Sequence, residues 1–329
     1  MIKSITITNY LGESLTINLN NMEPKHGLLV TKIEGIGPAK ATINKTDLAT
    51  SDGSKYNSSK MQERNILLTL KFKESTPELT DNYVDATYNI ENTRQRTYRY
   101  FPAKRECTLA IKTDNRNVRV IGYVESNEPD IFSSEEGCQI SIICPDPYFY
   151  SNEPGYFPHI TEFSGLNGEF EWLMEPDGWS NESLTENLTE FGSIRTVYDQ
   201  SFPYFGDQEN GIYMNIHFVA EVDTNILIIK RSPIDPNQIK GAFLLEIEKF
   251  RALMGTNFLS GDIITINTTN NPGIKLLRSG VYYNILNAVS RDSDWFKLDK
   301  GTNSFTFTAY GNEQNLEFRI EDYTLYEGV

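Results

Sequence analysis

Apolar and polar residues alternate through most of the first 150 residues of this chain. A period of two places successive side chains on opposite faces of a sheet, so each alternating segment predicts a strand with one buried face. The apolar positions are Ile5 and Ile7; Leu15, Ile17 and Leu19; Ile66, Leu68, Leu70 and Phe72; Leu109 and Ile111; Val118, Val120 and Val124. This half is therefore predicted to be mainly β.

One segment of this half has helical spacing instead. Between Pro77 and Phe101, Thr76 can cap a helix and Pro77 can occupy its first turn. One face then carries Tyr83, Ala86, Thr87, Ile90 and Arg94. We expect a single amphipathic helix that ends before Pro102, because the residue before a proline disfavours helical backbone.

A proline-rich segment divides the chain. Residues 144–158, CPDPYFYSNEPGYFP, hold four prolines and a glycine among aromatic residues, which favours a stiff linker over a continuing sheet. We place a domain boundary near Ser151, with one domain at 1–150 and another at 151–329. A chain of 329 residues fits two domains of ordinary size.

The second half again shows short strands separated by turn-rich stretches. The turns include Asn-Asn-Pro-Gly at 270–273 and Lys-Gly at 300–301. We expect a jelly-roll type of β-sandwich without helices. Its predicted strands are Phe170 and Trp172, Tyr213 to Ala220, Ile226 to Ile229, Phe243 to Ile247, Ile263 to Ile266, Phe305 to Ala309 and Leu316 to Ile320.

Composition and charge narrow the classes of function. The formal net charge is −15, and so acidic a surface repels phosphate backbones, which argues against sequence-specific nucleic-acid binding. The amino terminus, MIKSITITNY, lacks the apolar run of a secretory signal, and no later segment has the apolar length of a membrane span. We expect a soluble protein made in a cytoplasm, with no membrane partner.

Residue types that carry chemistry are sparse. Three cysteines form no metal-ligand spacing; Cys138 and Cys144 would lie roughly 20 Å apart along one strand at about 3.3 Å per residue, so we expect buried free thiols. His26, His159 and His217 stand in separate segments, and no Gly-x-Ser-x-Gly elbow occurs. We therefore expect no catalytic, cofactor or metal site.

One short segment superficially resembles a phosphate loop. Gly35-Ile36-Gly37-Pro38-Ala39-Lys40 lacks the third glycine of such a loop and runs toward another strand. We interpret it as a turn between strands.

Two sets of residues remain candidates for contacts. Arg94, Arg96, Arg99 and Arg105, with Lys104, form a basic cluster interleaved with aromatic residues, which suits a contact with the acidic surface of a neighbouring protomer. The tryptophans could instead stack on glycans, although core packing is the alternative for each; they are Trp172, Trp179 and Trp295. A hydrolase would need two facing carboxylates, for which Glu169 with Glu171 and Asp292 with Asp294 are the nearest pairs.

Three blocks in a fixed order resemble the distal tail protein (Dit) family of siphophage tails. The first is DGSKYNSSKMQERNILLTLKF, a polar loop leading into a regular strand, and the second runs from RYFPAKREC through GYVE and DIF to CPDPYF. The third comprises GDIITINTTNNPGIKLL, WFKLDKGTNSFTF and the terminal YEGV. Together these blocks touch most of the chain, and residues 160–210 match the family least.

The resemblance implies a structural role in a phage tail tip or baseplate, without enzymatic activity or a cofactor. It implies a β-sandwich belt domain with one helix at 1–150 that forms a homo-hexameric ring around a channel for DNA. It also implies an outer galectin-like, carbohydrate-module-like sandwich at 151–329.

Such a ring joins the tail tube to the tip within the virion. The implied partners are the major tail protein, the tape measure protein, a tail-associated lysin or tail-tip protein and a receptor-binding protein. The alternative functions are a carbohydrate-binding module for host cell-wall glycans and a tail-associated hydrolase.

Overall fold

The chain divides into two compact units. In the computed structural model, the first unit is Met1–Phe157 with Leu325–Val329, and the second is Pro158–Thr324. The structure describes residues 1–19, 26–47, 52–73, 90–133, 135–155, 158–164, 166–173, 188–194, 198–232, 234–235 and 237–329, with the backbone alone at 166–173, 188–194 and 198.

In its described residues, the first unit is built from antiparallel strands and one helix. Its strands are β1 (Ile2–Asn9), β2 (Ser14–Asn18), β3 (Leu28–Glu34), β4 (Ala41–Asp47), β5 (Ser54–Met61), β6 (Arg64–Phe72), β7 (Glu106–Thr113), β8 (Asn117–Asp130), β9 (Gly137–Cys144) and β10 (Phe149–Ser151), and its helix is α1 (Ile90–Tyr100). The main sheet follows the order β2-β1-β7-β8-β9-β6-β3, whereas β4 and β5 pair only with each other among the strands that the structure describes.

The long strand β8 joins the two parts of the main sheet around one core. Its first half pairs with β7 and its second half with β9, and the register shifts between Val124 and Ser126. All the alternating apolar residues predicted for this half lie in the core or pack against it. The predicted strands of this half are therefore confirmed.

Helix α1 confirms the predicted helix in part. It ends at Tyr100, ahead of Pro102, and buries Thr93 and Thr97, while Ile90 packs against the core. The predicted cap and first turns, from Thr76 to Thr87, lie outside the described residues. None of the helices in the described part of the chain is long and apolar enough to span a bilayer.

The second unit is also mainly β. Its strands are β11 (His159–Ser164), β12 (Leu166–Leu173), β13 (Leu188–Ile194), β14 (Tyr198–Tyr204), β15 (Tyr213–Phe218), β16 (Ile226–Arg231), β17 (Ile239–Leu245), β18 (Ile263–Asn267), β19 (Gly273–Arg278), β20 (Val281–Asn284), β21 (Gly301–Thr308) and β22 (Leu316–Asp322). Helix α2 spans Ile247–Met254, and two short 3₁₀ helices span Leu286–Ala288 and Glu313–Asn315.

Two larger sheets enclose the core of this unit. One has the order β11-β22-β15-β18-β19-β20 and the other β14-β21-β16-β17, while β12 and β13 form a separate pair. Phe307 of the smaller sheet contacts Phe163 and Phe318 of the larger one, with ring centroids 4.9 and 4.6 Å apart. Aromatic side chains from both sheets therefore fill one interior, and the predicted mainly-β sandwich is confirmed.

The expectation of no helix in this half is wrong. Helix α2 buries Ile247 and Phe250 and packs Met254 against the core. Gly255 ends the helix with φ +73°, and its amide donates to the carbonyl of Arg251 at 2.7 Å. Because α2 has only two turns, its helical spacing is too short to stand out, and the sequence analysis assigned only its first residue, Ile247, to a strand.

The last residues of the chain return to the first unit. Strand β23 (Leu325–Tyr326) pairs with β10, and β10 also pairs with β8. Phe149 of β10 is fully buried, so the prediction of a linker throughout 144–158 is wrong: part of it is a strand of the main sheet. The prediction also grouped residues 325–329 with the second domain, whereas their strand pairing places them in the first unit.

Candidate functional site

The predicted basic cluster lies on α1 and on the segment that follows it, where it makes contacts within the first unit. The Nε atom of Arg99 donates to Glu13 at 2.8 Å, and its Nη2 atom binds the other carboxylate oxygen of Glu13. This hydrogen bonding lowers the pKa of Glu13 to about 2. Arg105 lies over the ring of Tyr10, at 5.1 Å from its centroid.

Arg96 lies 3.3 Å from Nδ1 of His26. Arg99 and Arg105 therefore contact residues at the turn between β1 and β2, so the basic cluster does not consist of free side chains alone. A contact between Arg94, Arg96, Arg99 or Arg105 and a neighbouring protomer stays a prediction.

Of the three tryptophans predicted to stack on glycans, the structure describes the side chain of one, Trp295. Trp295 is half-buried and packs against the core of the second unit, with its ring edge-on to Phe243 at 5.3 Å. Trp172 belongs to β12, whose side chains lie outside the described set, and Trp179 lies outside the described residues. Trp295 thus contributes to packing, and glycan stacking by any of the three tryptophans stays a prediction.

The most exposed strands of the first unit are β4 and β5. Every residue of β4 is exposed, as is every residue of β5 except the partly exposed Met61. The sequence analysis interpreted the start of the block at 52–72 as a polar loop that leads into a strand, so this pair of strands, here called the β4–β5 ribbon, corrects that interpretation. Gly35 to Lys40 leads from β3 into it as the predicted turn, without a helix.

Polar side chains hold the ribbon together. Asn44 donates to Ser58 at 2.9 Å and Asn57 donates to Thr46 at 2.7 Å, across the two strands. Such cross-strand pairs contribute only a fraction of a kcal/mol each, roughly 0.2–1. A two-stranded ribbon with no buried apolar face is marginally stable in water on its own, so a partner surface would stabilise it.

Two large side chains on the ribbon are exposed to solvent. Ile43 is 63% exposed and Tyr56 is 61% exposed. Ile43 stands opposite Ser59, and the hydroxyl of Tyr56 lies 2.9 Å from that serine, so both large side chains occupy the same face. This face offers apolar area for a protein contact. Each strand of the ribbon also has an outer edge that no other described strand pairs with, and such an edge can pair with another chain.

Titratable side chains elsewhere pair in ways that sequence spacing does not reveal. Nδ1 of His159 lies 2.8 Å from Asp322, and Nδ1 of His217 lies 2.8 Å from Glu317. Burial raises the pKa of Asp322. No group of three or more His, Cys, Asp or Glu side chains within the described ranges is arranged to hold a metal ion.

The carboxylates considered for a hydrolase are only partly described. The side chains of Glu169 and Glu171 lie outside the described set. Asp294 accepts a hydrogen bond from the amide of Ala242 at 3.2 Å and so fastens the loop before Trp295 to β17. The expected free, buried thiols are confirmed for Cys107, Cys138 and Cys144.

A comparison with family models finds one match, to part of the chain. Residues 240–321, from β17 to β22, match the model of the siphovirus-type tail component, C-terminal domain. This range contains most of the third block of the sequence resemblance. No curated protein sequence matches the chain significantly.

One solved phage structure shares the fold. The Dit protein of SPP1, described as a paradigm of the hub adsorption apparatus in phages that infect Gram-positive bacteria, aligns with a TM-score of 0.59 at 10% identity over 98% of each chain. Baseplate structures of phage p2 in its activated conformation, with Ca and with Sr, align at TM-scores of 0.42 and 0.41, with 14% and 13% identity over 98% and 97% of both chains. The predicted resemblance to the distal tail protein family is confirmed.

Proposed function

We propose that this chain, whose residues 240–321 match the model of the siphovirus-type tail component, is a structural protein of a phage distal tail that forms a homo-hexameric ring through its first unit. The β4–β5 ribbon is the observation that supports this assembly most directly. It exposes Ile43 and Tyr56 on one face and carries strand edges that a second copy can cover. In a closed ring of subunits every ribbon is covered by a neighbouring subunit, which limits aggregation through exposed strand edges.

The charge of the chain suits a ring with a channel for DNA. A net charge of −15 per subunit opposes adsorption of the phosphate backbone to the channel wall, so DNA could pass without being trapped. The proposed role is structural and non-catalytic, at the virion's tail extremity.

The position proposed for the ring is between the tail tube and the tip. The fold shared with the SPP1 hub protein supports this position. The partners proposed on that basis are the major tail protein, the tape measure protein, a tail-associated lysin or tail-tip protein and a receptor-binding protein.

Light scattering and native mass spectrometry test the assembly directly. The purified chain should form hexamers, or hexamers stacked in pairs, and negative-stain images should show rings with a central hole. Replacing both Ile43 and Tyr56 with lysine should shift the species to smaller assemblies, because it places charge on the face that the ring would bury.

A matched control separates this contact from a general effect of surface charge. Phe205 in the second unit is 57% exposed, so Phe205→Lys makes a comparable exposed substitution away from the ribbon. It should leave the hexamer intact. A chain that is monomeric at every protein and salt concentration, or a double ribbon variant that assembles like the wild type, would contradict the proposal.

A further inference from the structure

The outer face of the six-stranded sheet in the second unit forms a groove of about 730 Å³. The register of the strands places side chains in rows that run across the sheet, one residue from each strand. One row contains Ser164, Glu317, His217, Ile263, Leu277 and Tyr282. The next row contains Glu162, Arg319, Asn215 and Thr265.

One end of the groove is lined by polar side chains that interact in pairs. His217 Nδ1 lies 2.8 Å from a carboxylate oxygen of Glu317, which can only accept, so Nδ1 donates and Nε2 is left as the acceptor in the neutral ring. Thr265 donates to Oδ1 of Asn215 at 2.7 Å, which fixes the amide and directs its NH₂ group away from the threonine. Arg319 lies 3.5 Å from Glu162. The donors and acceptors therefore have defined orientations before any ligand arrives.

The other end of the groove is apolar and ends in an aromatic ring. Ile263 and Leu277 stand opposite each other, and Tyr282 stands opposite Leu277 on the next strand. Tyr282 is 68% exposed, so its ring is accessible to a ligand. A ligand that lies in the groove would thus meet hydrogen-bonding groups at one end and an exposed aromatic face at the other.

We propose that this groove binds a neutral, hydroxyl-rich oligosaccharide. A pyranose ring has hydroxyl groups at its edge and an apolar face of C–H groups, which matches the two ends of the groove. Neighbouring strands lie about 4.8 Å apart, comparable with the width of one sugar ring, so successive side chains of a row can meet successive groups of the ligand.

Charge selects a neutral ligand over an anionic one. The groove is lined by the carboxylates of Glu162 and Glu317 and by the guanidinium of Arg319. With the exposed Lys275, which stands opposite Thr265 in the second row, these groups leave no net positive charge to hold an anion. Carboxylates accept strong hydrogen bonds from hydroxyl groups but repel phosphate and carboxylate ligands. The net charge of −15 for the whole chain adds to that repulsion.

This site differs from the tryptophan sites considered from the sequence, and it goes beyond the proposed ring. It would let each subunit contact a glycan while the first unit holds the assembly together. Because the groove lies wholly within residues 158–324, its occupancy and ring formation can be measured independently.

The test uses the full chain and an array of neutral oligosaccharides built from glucose, galactose and N-acetylglucosamine, followed by calorimetric titration of the best binder. At least one should bind at millimolar concentration or below. Asn215→Ala and Tyr282→Ala should each weaken binding by about tenfold, as expected when a hydrogen-bonding side chain or a stacked ring is removed. Tyr282→Phe, which keeps the ring, should bind nearly as well as the wild type.

Tyr310→Ala is the matched control, because Tyr310 is 60% exposed in the same unit and does not line the groove. It should leave affinity unchanged, and light scattering should show the same assembly for all variants. Tryptophan fluorescence confirms that each variant has folded. The proposal is overturned if no neutral oligosaccharide binds, if inorganic phosphate or glycerol phosphate binds instead, or if Tyr310→Ala weakens binding as much as Tyr282→Ala.

Discussion

Arg64 connects the last residues of the chain to the first unit, and its replacement tests that connection. It begins β6, is only 3% exposed, and donates hydrogen bonds to four carbonyl oxygens, those of Gly35, Gly37, Pro147 and Glu327. Burial lowers the pKa of Arg64, although an arginine remains protonated at any working pH. We consider Arg64→Met, which keeps a long apolar stem and removes every one of these bonds.

The size of the expected stability loss depends on which of the four carbonyl oxygens can be hydrated in the variant. Gly35 and Gly37 lie in an exposed turn, so their oxygens can be rehydrated, whereas Pro147 and Glu327 are partly buried. Leaving a buried acceptor without a partner costs about 1–3 kcal/mol each. Removing a buried charge returns some desolvation energy, so we expect a net loss of about 3 kcal/mol in the free energy of unfolding of the first unit.

The distribution of two residue types allows the units to be followed separately. All three cysteines, Cys107, Cys138 and Cys144, lie in the first unit, and all three tryptophans lie within residues 158–324. Thiol reactivity as a function of urea therefore reports the first unit, and tryptophan fluorescence reports the second. With a urea dependence of about 1–3 kcal/mol per molar, the thiol midpoint should fall by about 1 M or more.

The urea midpoint measured by fluorescence should not change, because the four carbonyl oxygens that Arg64 binds all belong to the first unit. Arg291→Met is the control, since Arg291 is an exposed arginine of the second unit and should leave thiol reactivity unchanged. An unchanged thiol midpoint in Arg64→Met, or equal shifts of both midpoints, would refute the reasoning.

Three further outcomes follow from local chemistry. Burial raises the pKa of Cys107 and Cys138 to about 12 and that of Cys144 to about 11, so a disulfide reagent at pH 8 should modify none of them in the native chain and all of them in denaturant. Burial raises the folded-state pKa of Asp322 above its ordinary 3.8, so its contribution to stability is present below pH 3.8 and is lost as pH rises through the raised pKa. The stability of Asp322→Asn relative to wild type, followed by tryptophan fluorescence, should therefore increase across that window and then level off; a difference independent of pH would contradict this assignment. Gly255→Ala should lower the free energy of unfolding of the second unit by about 1 kcal/mol, because a side chain is strained at φ +73°. Nothing lies within 4 Å of the added methyl group, so no new contact offsets this cost. A urea midpoint equal to that of wild type would contradict this prediction.

The strands that build the two cores were predictable because burial leaves a period-two signature. Ile66, Leu68 and Leu70 alternate with polar neighbours, and all three are fully buried in β6. The end of α1 was predictable from Pro102 for an equally local reason. The pairing of β10 with β23 was not predictable in this way, because it joins residues far apart in sequence and lies in a segment rich in proline.

The β4–β5 ribbon was not predicted, because strand prediction depends on alternating apolar and polar residues and a ribbon exposed on both faces lacks that alternation. The β5 sequence SKYNSSKM has no apolar alternation, and its pairing with β4 depends on polar cross-strand contacts. An exposed strand of this kind resembles a loop in composition. Its register becomes visible only in three dimensions.

The groove was missed for a related reason. His217 and Glu317 are 100 residues apart, and Asn215 and Thr265 are 50 apart, so no local motif links the members of either pair. The sequence analysis searched instead by residue type and selected Trp295, whose ring the structure packs against the core. The alternation of apolar and polar residues shows which face of a strand is buried. Ligand recognition depends on the opposite face, where the strand register brings together residues from several strands. For a mainly-β chain, therefore, candidate contact residues are better sought among the polar positions between predicted core residues than among the large aromatic residues.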